Sequence, residues 1–256
     1  MLDAPLRAAL AEDLEQLIRL HDRELDEITL KALSEVSFPE NFALLPRAGT
    51  DLLHQALNAS APKTRDRPQG QGGANENPAP SQFLDLLAAD YAAIYLSCAF
   101  GASPYESVWL SEDHLACEQP MFELREIYAR HGLKVSNWRQ RYDDHFVLQM
   151  QFLLHRLRAA DTNWPEVGNI LDEHLLYWIG DFAARVAGRC NTPFYAGLVL
   201  ATVDWLEQVR DLIAEQALAP RLSREEVSTR LRERIVAQKE AVAPLKFMPG
   251  GAGPSW

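Results

Sequence analysis

Apolar residues recur along this chain three and four positions apart, the spacing of a helix face. No stretch alternates residue by residue as a half-buried strand does. Over residues 3–37, Asp3 stands as an N-cap with Pro5 in the first turn, and Leu6, Leu10, Leu14, Leu17 and Ile18 form one stripe. Pro39 and Pro46 interrupt it, and Thr50 opens a short helix carrying Leu53 and Leu57. From Ser81 the period resumes with Leu84, Leu87, Tyr91, Ile94 and Cys98, then fails over a polar-aromatic elbow at 100–118. Pro120 starts a further helix with Leu124, Ile127 and Tyr128 on its inner face, closed by His131-Gly132 with the glycine as left-handed cap. Asp144 is the expected cap of the next, whose stripe is Phe146, Met150, Leu153, Leu154 and Leu157. A loop over 161–168 precedes a helix carrying Leu171, Leu175, Trp178, Phe182 and Val186 and ending at Gly188. Thr192-Pro193 then starts about five turns bearing Phe194, Leu198, Ala201, Trp205, Val209 and Leu212. Ser223-Arg-Glu-Glu226 is a capping box for a last, charge-rich helix with Val227, Leu231 and Ile235 to bury. Helix after helix with short connections predicts an all-α fold, a single bundle over 1–245 with no solenoid repeat.

Two stretches stand apart. Residues 58–80 are dominated by Pro, Gly, Gln, Asn and charge and carry no large apolar side chain, so they are expected to be a disordered loop. Residues 246–256, Gly-rich with Phe247 and Trp256, read as a flexible tail.

Composition narrows the class. Hydrophobic content of 47% and charged content of 24% are ordinary for a globular protein with a sizeable core. No run reaches the roughly 18 apolar residues of a membrane helix, and Met1-Leu-Asp-Ala-Pro lacks the basic and apolar regions of a secretory signal. Cys98, Cys117 and Cys190 have no C-x-x-C spacing, which points to free thiols in a reducing compartment. A formal charge of −11 disfavours nucleic acid and anionic membrane and favours cationic partners.

Catalytic patterns are missing. Gly250-Gly-Ala-Gly253 has no following Lys-Ser/Thr or helix and is not a phosphate loop. The scattered histidines give no i, i+4 ligand pair, so neither a metal nor another cofactor is expected. His174 reads as a helix histidine bonded to a neighbour, and Ser107 lacks an evident base in the sequence. What remains is a pair of junctions. Pro104-Tyr105-Glu106-Ser107-Val108-Trp109 and Tyr142-Asp143-Asp144-His145 both lie between helical patterns, where binding sites sit on rigid scaffolds.

Those junctions, with Tyr91, Ile94 and Tyr95 before them and Tyr128 and Gly132 between them, resemble the TorD/DmsD/NarJ family of maturation chaperones for molybdenum-containing redox enzymes. The resemblance is strongest over 83–157 and continues through Phe194-Tyr195 and Trp205. One departure is Gln149-Met150, where the family pattern carries an acidic residue and leucine after the Asp-His pair. The resemblance implies a cytoplasmic, non-enzymatic chaperone that binds an apo-form molybdoenzyme subunit through its twin-arginine signal peptide until cofactor insertion and folding are complete. It permits monomers and homodimers. In that role Tyr105, Trp109 and Tyr142 supply apolar contacts and Glu106 and Asp144 charge at the rim of a groove. His145 orients the peptide backbone, and Ser107 lies within the same element. Two alternatives stay open: a chaperone for a non-exported molybdoenzyme, and a nucleotide-hydrolysing enzyme using Asp144 and His145 as an acid–base pair.

Overall fold

The first helix is set by its cap. Asp3 accepts the Leu6 N–H at 2.8 Å, and α1 (Ala4–Asp22) follows with Leu10, Leu14, Leu17 and Ile18 buried. The structure, a computed structural model, describes residues 2–60, 80–111 and 113–241. The single helix expected over 3–37 is two. Arg23 is extended, and Asp26 takes the Thr29 N–H at 2.7 Å to cap α2 (Glu27–Glu35). A capping carboxylate competes with helix continuation for backbone donors, and the break turns Leu25 into the core.

α3 (Thr50–Ser60) and α4 (Pro80–Tyr91) bracket the segment expected to be a loop. Asn58–Ser60 belong to α3 and Pro80 to α4, so the loop expectation is corrected at both ends; residues 61–79 lie outside the described residues. α3 leaves a turn at Gly49, whose φ is +81°. A Cβ there would stand 2.2 Å from the Gly197 carbonyl oxygen, so glycine is what allows this turn to rest on the central helix. α4 runs on into a π-helical turn, Ala92–Leu96.

Next come α5 (Glu106–Leu110), α6 (Gln119–Arg130) and α7 (Phe146–Arg158). The elbow at 100–118 therefore contains a helical turn. The expected loop over 161–168 is mostly helix: Asn163 caps α8 (Trp164–Glu173), and Trp164 and Val167 are buried. The helix expected to run through Leu171 and Val186 is broken at His174 (φ −115°, ψ −93°) into α8 and α9 (Leu175–Ala187). α10 (Pro193–Gln216) is the axis of the core, burying Phe194, Leu198, Ala201, Trp205 and Val209 against α3, α8 and α9, while α1 packs on α7. Thr192 precedes it as expected, although its hydroxyl bonds Asp90 at 2.7 Å instead of capping.

The chain divides into two compact units, Met1–Leu222 and Ser223–Trp256. The second holds α11 (Arg224–Ala241), opened by the expected capping box: Ser223 N–H donates to Glu226 at 2.7 Å and Glu226 N–H to the Ser223 hydroxyl at 3.2 Å. The expected tail, 246–256, lies outside the described residues. The fold is all-α, with no strand among the described residues; an isolated antiparallel bridge joins Tyr105 and His145. Cys98, Cys117 and Cys190 are free thiols. No helix among the described residues is long and apolar enough to cross a membrane.

Candidate functional site

The two junctions meet. Tyr105 is extended, and the backbone pairs antiparallel across it: Phe146 N–H donates to the Pro104 carbonyl at 3.0 Å, and Glu106 N–H to that of Asp144 at 3.2 Å. The second segment then caps both helices. Asp144 Oδ2 accepts the Ser107 N–H at 2.9 Å in the first turn of α5. His145 Nδ1 accepts the Val147 N–H at 3.1 Å and caps α7. The expectation that Asp144 caps α7 is corrected for a simple reason. Its backbone carbonyl is committed to Glu106, so its side chain lies over α5, and the extended residue entering α7 is His145.

Beneath the bridge lies a buried polar network. Glu106 is 0% exposed; one carboxylate oxygen lies 2.8 Å from His174 Nδ1 and the other accepts from Gln149 Nε2 at 2.9 Å. Gln149 Nε2 also donates to the Asp144 carbonyl at 3.0 Å. Ser107 is buried, and its hydroxyl accepts the Glu118 N–H at 3.3 Å. Asp144 Oδ1 has no hydrogen-bond partner. Burial, with the neighbouring Glu106 charge, raises the Asp144 pKa above the ordinary carboxylate value against the opposing pull of Ser107. The rim position expected for Glu106 and Asp144 is therefore also corrected: both carboxylates are interior.

Above the network is an aromatic face. The Tyr105 ring lies 5.6 Å from that of Tyr142 and meets His145 edge-on at 5.0 Å. Tyr105 and Tyr142 are half-buried. Burial pushes the Tyr105 hydroxyl up to about 12. Burial, then the charges of Arg141 and His21, hold the His145 pKa well below the usual imidazole value. With Nδ1 accepting from Val147, the neutral ring carries its proton on Nε2. Trp109 keeps different company. Its indole donates to the Ser103 carbonyl at 2.8 Å, stacks on Trp178 at 6.2 Å and lies under the Arg185 guanidinium at 4.8 Å. A groove of about 580 Å³ beside it is lined by Asp181, Arg185 and Arg189.

The structure thus brings the half-buried rings of Tyr105 and Tyr142 together, with His145 buried against Tyr105 and with Glu106, Ser107 and Asp144 buried beside it. Sequence reasoning missed His174 as a member. Its bond is to a residue 68 positions away, which no local pattern signals. Gln149 did carry a signal: it lies four residues after His145, one helical turn inward. Among the described residues no group of three or more His, Cys, Asp or Glu stands together as a metal site.

The sequence that builds these junctions has known relatives. The model of the family described as "Nitrate reductase delta subunit" matches residues 51–184, just over half of the chain and all of both junctions. The chain belongs to that family. It is 29% identical over 119 residues to "Chaperone protein TorD" of Vibrio vulnificus (strain YJ016), covering 43% of this chain and 55% of that protein. It is 26% identical over 151 residues to the protein of that name from Psychrobacter sp. (strain PRwf-1), covering 56% and 68%. For Vibrio cholerae serotype O1 (strain M66-2) the figures are 30% over 139 residues, covering 50% and 63%. The chain spans about half to two thirds of the length of these curated relatives.

Proposed function

We propose that this protein is a cytoplasmic, system-specific chaperone for a molybdenum-containing oxidoreductase. It binds the apo-form precursor, through its twin-arginine signal peptide, on the face made by Tyr105, Tyr142 and His145. The observation that carries this reading is the joining of the two junctions, by a backbone bridge and by the cap that Asp144 lends to α5. Elements 37 residues apart are locked together by the Asp144–Ser107 bond, and the product is a half-buried tyrosine pair, backed by the buried His145, over buried carboxylates. A basic, apolar leader needs such a surface. The aromatic rings take its apolar side chains, and His145 Nε2–H offers a donor for peptide carbonyls. Glu106 and Asp144 act from below, through the field they set up in a poorly solvated site. Trp109 extends the apolar contact on α5. Holding the leader delays export until the subunit has received its cofactor and folded.

The acid–base alternative is disfavoured by the same geometry. Asp144 and His145 each cap a different helix, and the His145 nitrogen that would answer a carboxylate is committed to Val147. A chaperone for a non-exported enzyme differs only in its ligand. Calorimetry against twin-arginine leaders, each beside a version with both arginines replaced by alanine, separates the readings. The expected result is micromolar or tighter binding to one leader, weakened about tenfold, near 1.4 kcal/mol, by the arginine replacement and by Tyr105→Ala. Binding of the client without its leader, unaffected by the arginines, would replace this reading with the non-exported one. Turnover of nucleotides lost in Asp144→Asn would replace it with the enzyme.

A further inference from the structure

Next to the aromatic face the protein holds one of its own arginines in a site built for a guanidinium group. Arg125, on the outer side of α6, donates through Nε and Nη2 to Asp143 Oδ2 at 3.2 and 2.8 Å. Its guanidinium carbon lies 5.7 Å from the Phe122 ring centre and 5.4 Å from that of Trp138. Asp143 is nearly buried and is fixed from behind, where Tyr128 donates to its carbonyl at 3.1 Å. Phe122 and Trp138 are 47% and 45% exposed, and Trp138 also carries the Arg139 guanidinium at 5.6 Å. The cradle is therefore a buried carboxylate with two part-exposed aromatic walls, the combination that binds planar cations. Along the chain it adjoins the aromatic face, since Asp143 directly follows Tyr142 and precedes Asp144.

The occupant is easily moved and the cradle is not. Arg125 is 40% exposed and Asp143 4%. Arg125 leaves by side-chain rotation alone, whereas Asp143 is held by the backbone that forms the junction. The guanidinium, 40% exposed, keeps much of its hydration and so gives up less on leaving than a buried cation does. We propose that the Phe122–Trp138–Asp143 cradle is a receptor site for an arginine side chain of the client, and that Arg125 is a built-in competitor which the client displaces. The naming of the client rests on the function proposed above; the guanidinium chemistry of the cradle does not. Displacement sets a threshold: a segment with a single weak contact does not evict Arg125, and one that also fills the neighbouring aromatic face does. Arg125, once released, returns its charge to solvent, so the exchange leaves the net charge in the cradle unchanged.

Two arms test this, and the first needs no leader. Arg125→Ala, with Arg125→Gln as a second variant should the first unfold, is titrated with N-acetyl-arginine methylamide while the Trp138 indole resonance is followed. Arg130→Ala, on the same helix, controls for the loss of one positive charge. The expected result is saturable binding to the Arg125 variants at least about tenfold tighter than to wild type or Arg130→Ala, abolished when Asp143→Asn is added. Equal binding to wild type, Arg130→Ala and the Arg125 variants overturns the proposal. In the second arm the Arg125 variants bind the cognate leader about fivefold tighter than wild type, and a leader with lysines in place of the arginines loses that gain. A leader bound no tighter by the Arg125 variants overturns the competitor role. Failure of every form to bind any leader, with the small probe still binding Arg125→Ala, overturns the proposed function and leaves the cradle standing.

Discussion

Two buried acidic junctions in this molecule are finished to different degrees. Asp172 on α8 faces Arg210 on α10. Arg210 Nε and Nη2 donate to its two oxygens at 2.8 and 2.7 Å, and Leu222 N–H adds a bond at 2.8 Å. The remaining Arg210 donors reach the Ala219 and Pro220 carbonyls at 2.9 Å. Gly168 makes room, since a Cβ there would stand 3.2 Å from the guanidinium carbon. Each charge is cancelled and each oxygen occupied. At Glu106 and Asp144, by contrast, two carboxylates share an interior: His174 and Gln149 bond Glu106, the Ser107 N–H bonds Asp144 Oδ2, and Asp144 Oδ1 is left without a partner. A buried polar group left unmatched is costly. A protein able to complete one junction with an arginine has left the other incomplete beside its aromatic face. The first junction holds the bundle together; in the function proposed above, the second keeps acidic groups available to a ligand.

The contrast can be broken at several points. Arg210→Met leaves Asp172 buried without its cation and should destabilise the first unit by about 3–5 kcal/mol, read from the urea midpoint; a loss under about 1 kcal/mol would show that the lock is ornamental. His174→Leu removes a partner of Glu106 and should cost about 1–3 kcal/mol while also loosening α5, seen as faster amide exchange at Ser107 and Val108. Protection at those amides equal to wild type would place the anchor of α5 elsewhere.

Acidity tests the open junction with opposite signs. The His145 pKa is depressed in the folded state, so its contribution is complete above 6.5 and is lost as pH falls toward the depressed value. His145→Gln should therefore flatten the stability curve below pH 6.5, by at most about 1.4 kcal/mol per pH unit. The Asp144 pKa is raised, so its contribution is complete below 3.8 and is lost as pH rises through the raised value. Asp144→Asn removes that penalty and keeps an acceptor for Ser107. It should leave stability at pH 7 unchanged or raise it by up to about 1 kcal/mol, while weakening leader binding. A marked loss of stability would mean that the carboxylate serves the fold rather than the ligand.

Much of this was legible in the chain. Periodicity gave the stripes of α1, α7 and α10, because a residue facing a core must recur every 3.6 positions whatever it packs against. Asp3, Gly132 and the Ser223–Glu226 box mark helix ends by local chemistry, and the structure keeps all three. The two junctions stood out by the failure of that periodicity. Local signals erred where a competing local signal was misjudged, as at Asp26 and Asn163, whose capping splits or starts a helix.

What the sequence determined by itself is whatever depends on neighbours along the chain: the helical class, most helix faces, several caps, the free thiols and the acidic balance. Tertiary structure alone decided which helix Asp144 caps, that Glu106 finds His174, and that Arg125 rests between Phe122 and Trp138 on Asp143. The physical reason is range. A turn of helix reports only on residues three or four positions away, whereas a buried carboxylate is satisfied by whichever donor the packing of distant helices brings within about 3 Å.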